Sequence, residues 1–477
     1  MSKSRRLVIA AVAAAVVAAF ASVSAQQIAD ATEKGTQGSG NKAVAHHPGG
    51  QLISGNDRGP SPRLFRVGTP SGEPTIGVTN EGNVYYVSLV GTGSQVLRST
   101  NEGRAWTNVS PKLPNGQNVH KVTLDPYIYV DDAEGVDRIF TIDLTVACSY
   151  MSFSDNEGDS WITNPLACGK PVNDHQTLFS GPPKSSLTID YPNVVYYCYN
   201  DIASSNCSKS IDGGLTFRPA GFPAYPGVNS DTDLCGGIHG HGHVDPRGNV
   251  YLGRDYCGQP WIAISRDEGT TWETMQVATN GVPANCGFTS CTDPSISSDR
   301  KGNIYYLYAA KDHLPYLVIS RDDGKTWSKP MMVGAPGVND ANLPSLDVSA
   351  PGKLAIAYYG SENSPYERCR EDCEDKDYLK TTWNGYMAVS TNALDKNPTF
   401  YSSTVNDKRD PFKRQRCGPL RCGTAIYDFL DVTIAPDGQV WAAFVDACTF
   451  SCADRRATTD AGNEGVVGHF VGFAPLQ

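Results

Sequence analysis

The sequence predicts an all-β protein, a seven-bladed β-propeller, and three observations predict it. An eight-residue pattern recurs five times near a 55-residue period, and a second set of seven turns interleaves with it. Between the turns run short segments dense in Val, Ile, Tyr and Phe. Six blades is the alternative count.

The pattern is clearest at 265–272 (SRDEGTTW) and 320–327 (SRDDGKTW), with SIDGGLTF at 210–217 and Asn in the Asp position at 99–106 and 154–161. Subtracting the positions of the central glycines, Gly103, Gly158, Gly214, Gly269 and Gly324, gives 55, 56, 55 and 55 residues. Each copy is a local staple: the Asp or Asn accepts bonds from turn amides, the Gly takes a positive φ, and the aromatic tucks beneath the hairpin. Asp267 and Asp322 are therefore read as turn carboxylates, not as metal ligands or catalytic groups.

The pattern resembles the Asp-box, or BNR repeat, of sialidase-like β-propellers, in a divergent form and across nearly the whole mature chain. The resemblance implies a carbohydrate-active enzyme, with a glycan-binding or protein-binding propeller as the other function class. It also implies an arginine clamp for a carboxylate and a Tyr nucleophile. Arg66, in the Leu64-Phe65-Arg66-Val67 segment, is similar to the signature arginine, and Tyr427 in Tyr427-Asp428-Phe429 to the nucleophile. Arg254, Arg409 and Arg421 occur in no motif that identifies them, so the arginine triad is not supported.

The interleaved turns, at 80–83, 190–193, 245–249, 299–303, 350–353 and 436–439 with a looser one at 125–138, each precede an apolar strand and imply seven blades. Blades six and seven lack a good Asp-box, 390–392 being a degenerate trace, and the last outer strand is expected at 466–473. Residues 1–25 read as a signal peptide, with an Arg-containing start, an apolar run and Val23-Ser24-Ala25. Residues 26–60 read as a flexible or strap-like lead, and 61–477 as one propeller domain with a disulfide-rich insertion at about 361–425.

In a propeller the first strand of each blade lines the central channel, so residues entering those strands converge at one mouth. Gly82, Gly248 and Gly302 each lie nine residues after Glu73, His239 and Asp293, which puts those three in one slot. The other blades add His120, Asp174 with His175, Asp340 with Asn342, and Asp428. Glu73, His175, His241, Asp293 and Tyr427 are the catalytic candidates: paired carboxylates suit glycoside hydrolysis and a histidine suits proton abstraction in a lyase. Arg66, His120, Asp174, His239, Asp340, Asn342 and Asp428 are the ligand-binding candidates, because side chains that donate and accept match sugar hydroxyls. Tyr127, Tyr129, Tyr256 and Trp261 are offered as sugar-stacking rings.

Net charge of -10 leaves no basic stripe for nucleic acid. Fourteen cysteines in a chain with an export signal are expected to be oxidised, and the absence of C-x2-C spacing argues against zinc. The expectation is thus a secreted monomer acting on an extracellular glycan, with no cofactor, no metal and no membrane span once the signal is removed.

Overall fold

A computed structural model describes residues 37–38, 42–53, 59–90, 93–120, 123, 125–135, 137–145, 148–166, 173–201, 204–226, 238–282, 293–369, 372–415, 430–449, 463–471 and 476. The chain is all-β with almost no helix, and its described strands form seven antiparallel sheets. The first strands of the sheets are Thr75–Val78, Tyr127–Asp131, Asp174–Gly181, His243–Val244, Ser295–Ser298, Asp340–Ala350 and Asp431–Ile434. Each touches the next, and the last touches the first, which makes the closed ring of a propeller.

Seven apolar clusters fill the seven seams between neighbouring blades. The second strand of each blade carries most of this load. Val194–Asn200 and Ile304–Ala309 are buried at every position, so their β-branched and aromatic residues face a neighbouring blade on both sides.

The five repeat turns share two bonds, from the central Gly amide to the Ser hydroxyl and from the amide two residues on to the Asp or Asn oxygen. In the fourth copy the Gly269 amide donates to Ser265 Oγ (2.7 Å), the Thr271 amide to Asp267 Oδ1 (2.8 Å) and the Thr271 hydroxyl to Oδ2 (2.6 Å). Gly269 has a φ of +81°, and Glu268 before it is left-handed too at +57°. The aromatics do more than sit under their own hairpin. Trp106, Trp161, Phe217, Trp272 and Trp327 pack into the seam with the preceding blade. Asp267→Ala is expected to lower stability by about 1 kcal/mol, the loss of a capped turn. A melting curve matching wild type would show that the turn does not depend on this carboxylate.

The seventh blade is closed by the start of the chain. Glu464–Val471 is its third strand, not its outermost, and Ser61–Arg66 pairs along it as the fourth. The expected outer strand at 466–473 is therefore an inner partner, because the outermost place is taken by a segment remote in sequence. Arg66 lies in this closing strand, where its Nη1 meets Asp446 (3.1 Å) and Glu464 (2.5 Å). Gln37–Gly38 pairs outside Ser61–Arg66, while Val44–His47 and Gln51–Leu52 extend blade six outside Phe400–Thr404.

Thr382–Ser390 and Phe400–Thr404 fall inside the stretch assigned to the insertion and complete blade six. What stands apart is 362–381, with the short helix Tyr366–Cys369 and a 3-10 turn Asp375–Tyr378. Cys369 is bonded to Cys373, and Cys198 to Cys207; Cys257 and Cys448 are also in disulfides. No described cysteine is free. Among the described residues no helix is long and apolar enough to cross a membrane.

Candidate active site at the channel mouth

The antiparallel order sends the five repeat turns to one end of the ring and the starts of the inner strands to the other. At that second end Asp293, just before the inner strand of blade five, meets His175 on blade three: His175 Nε2 lies 2.6 Å from Asp293 Oδ2. His239 and His241, leading into blade four, place their rings 6.4 and 6.5 Å from the His175 ring. His241 Nδ1 lies 4.0 Å from Oδ1 of Asp431, the first residue of the blade-seven inner strand. A void of about 10 Å³, room for about one water, is lined by His241, Asp293, Ser295, Leu343, Ser345 and Leu430.

Asp125, ahead of blade two, ties two more members together. Its carboxyl is hydrogen-bonded to that of Glu73, and its Oδ2 accepts the His175 amide at 2.9 Å. Glu73, His175 and Leu343 all have left-handed backbones, with φ of 50°, 49° and 52°. Non-glycine residues hold that region only where the surroundings enforce it, and such strain concentrates at functional sites.

Burial governs the titration of the group. It pushes Asp125 and Asp431 up to about 7, and it raises Asp174 and Asp293, although His175 pulls both of these back. It lowers His239 and His241 to about 3, with the neighbouring histidines adding to the effect. These two imidazoles are thus neutral at pH 7, while Asp431 is divided between acid and carboxylate.

Asp431 supplies a pH prediction. Its folded value lies above the usual carboxylate value, so between about pH 4 and 7 the folded state holds a proton that the unfolded chain releases, and this group's contribution falls as pH rises through that window. Asp431→Asn should lose less stability than wild type between pH 4 and 7 in urea titrations. An equal pH dependence in both proteins would contradict the assigned burial of charge.

The remaining candidates are placed elsewhere or spent. His120 is fully buried, with Asp143 on Nδ1 (2.7 Å) and Ser152 on Nε2 (2.9 Å). Asp340 binds His313 (3.1 Å) and Ser364 on the side of the insertion. Asn342 accepts the Leu343 amide (2.9 Å), which supports that left-handed residue. Tyr427 and Asp428 lie outside the described residues. Tyr127 and His241 meet at right angles, 4.9 Å between ring centres, while Tyr129, Tyr256 and Trp261 pack in the seams as strand residues.

Arg254 is buried between Tyr225 and Tyr256, and Arg409 pairs with Asp407 at the surface. Among the described residues, then, no arginine cluster faces the mouth. Asp125 and Asp431 were missed by sequence reasoning. Asp431 opens an inner strand and Asp125 lies just ahead of one, a signal obscured by the irregular turn of blade two and by the choice of Asp428 for blade seven. Among the described residues no group of three or more His, Cys, Asp or Glu is arranged to hold a metal ion.

The sheet order and the convergent mouth define the class of protein: a β-propeller with a buried acid and imidazole cluster at one end of its channel. No protein-family profile matches the chain, and no curated protein does. Among solved structures, the chain is similar to the Hadza microbial sialidase Hz136 at 16% identity and a TM-score of 0.39, over 70% of this chain and 66% of that one. It is similar to the NanB sialidase from Streptococcus pneumoniae at 13% and 0.41, over 88% and 73%. The Aleuria aurantia lectin AAL gives 10% and 0.43, over 70% and 96%. At these values the resemblance is loose, and the propeller rests on the chain's own sheet order.

Proposed function

We infer that the protein is an exported carbohydrate-active propeller, a glycoside hydrolase working by general acid and base catalysis at the channel mouth. The observation that carries this reading is the His175–Asp293 contact beside His241 and Asp431, with His241 and Asp293 lining one cavity. Asp431, near 7, holds a proton to give to a leaving oxygen at neutral pH, and Asp293, oriented by His175, takes the base or nucleophile role. Glu73 acts through Asp125 on the position of His175.

The lyase alternative needs His175 or His241 as base; His241 near 3 is a weak base, and His175 Nε2 is engaged with Asp293. Export is supported by the apolar N-terminal run and by the oxidised cysteines. The extracellular partner is a glycan, and the chain acts as a monomer. The test is to incubate the purified protein with neutral and anionic polysaccharides and look for new reducing ends. Unsaturated uronate products would favour the lyase, and binding without products would favour a lectin-like role.

A further inference from the structure

A groove of about 750 Å³ lies between blades five and six, outboard of the mouth. Its floor is formed by the loop that joins Ile304–Ala309 to Pro315–Ser320, and this loop emerges on the mouth face. Its outer wall is formed by Tyr366, Glu367 and Asp372. A second concavity, of about 680 Å³, lies on the far side of the wall, and Asn339 and Glu367 line both.

The groove is built rigid. Tyr316 packs on one side against the seam of blades four and five and is half-buried, but unlike the other seam aromatics it also lines the groove, with its hydroxyl on Asp312 Oδ2 (2.9 Å) and its ring 6.2 Å from that of Tyr308. Tyr366 in the wall stacks on His313 at 3.5 Å, and its hydroxyl donates to the Lys311 carbonyl (3.0 Å). His313 in turn holds Asp340, the first residue of the blade-six inner strand, so the groove wall is braced against the ring that forms the mouth. The Cys369–Cys373 disulfide ties the end of the wall. An aromatic ring fixed beside Asn and Asp side chains is the recognition chemistry of a sugar chain, with apolar ring faces for stacking and hydroxyls for polar groups. Asp312, Glu367 and Asp372 line the groove with Lys311, an acidic balance that repels uronates and sulfated sugars.

We propose that this groove is a second glycan-binding subsite that holds a neutral oligosaccharide stretch of the substrate, with Tyr316 as its stacking platform. The proposal rests on the reading of the mouth as a glycan site, and the groove's floor loop emerges on the same face as the mouth. It makes the substrate a neutral polymer or long oligosaccharide and not a single terminal acidic sugar.

The test is calorimetric titration of the full chain carrying Asp293→Asn with cellohexaose, maltohexaose, xylohexaose and chitohexaose, and with hexasaccharides of polygalacturonate and hyaluronan. At least one neutral hexasaccharide should bind more tightly than both anionic ones. Tyr316→Ala should weaken that binding about tenfold, the loss expected for one stacked ring, and Tyr316→Phe much less. Because Tyr316→Ala can disturb the loop, Glu367→Arg, at an exposed wall position, is the second variant and should narrow the gap between neutral and anionic ligands. Binding of no neutral hexasaccharide, tighter binding of an anionic one, or unchanged affinity in both Tyr316→Ala and Glu367→Arg would overturn the proposal. Since binding is measured in a mouth variant, lack of hydrolysis by the wild type would sink the enzymatic reading and leave the groove standing.

Discussion

Asp293→Asn should lower the rate on the best substrate found by screening by about 10²- to 10⁴-fold, the usual loss on removing a general acid or base. The substitution keeps the shape of the side chain and its contact with His175, now 2.6 Å from Asp293 Oδ2, so the folded mouth is preserved while the basic oxygen is lost. Melting should move little, since burial already raises the Asp293 carboxyl and an amide avoids that cost. His175→Ala should also reduce the rate, but by freeing Asp293, and it should shift the alkaline or acidic limb of the pH profile. Loss of stability in proportion to loss of activity, with full activity per folded molecule, would make the pair a packing feature. Wild-type rates in Asp293→Asn and Asp431→Asn together would move the chemistry away from the mouth.

Phe65→Ala should destabilise the protein by about 3 to 5 kcal/mol, the range for emptying a core aromatic site. Phe65 belongs to the strand that closes the ring, is 2% exposed, and packs with Trp441, Val467 and Leu97 in the seam between blades seven and one. It also touches Gly103 of the first repeat turn, where a Cβ would stand 3.1 Å from the ring. One residue thus joins the closing strand, the last blade and the first turn. Chemical denaturation of Phe65→Ala beside a surface control on the same strand, Arg63→Ala, measures the closure. A loss below about 1 kcal/mol would mean that the ring does not depend on this seam.

The repeat turns were legible in the sequence because their bonds span four residues or fewer, as between Asp267 and Thr271. The mouth was legible in outline. The offset that places Glu73, His239 and Asp293 nine residues ahead of their turn glycines is the offset that brings them to one end of the channel. Arg66 shows where such reading stops. Its motif suggested a ligand clamp, but its partners are Asp446 and Glu464, on strands from the far end of the chain.

By itself the sequence determined the strand and turn alternation, the staples and the residue types delivered to the channel, because these follow from side-chain period and from hydrogen bonds within a hairpin. Only the tertiary structure decided that Ser61–Arg66 closes the last blade, since any free strand of suitable pattern can satisfy an exposed edge and the choice is made by chain geometry. It also decided which carboxylate meets which imidazole. Asp125 reaches Glu73 and His175, and Asp293 reaches His175, across blades whose separation is set by the packing of the seams. The shifted titration of Asp431 and His241 follows from burial among those blades, which no stretch of chain carries alone.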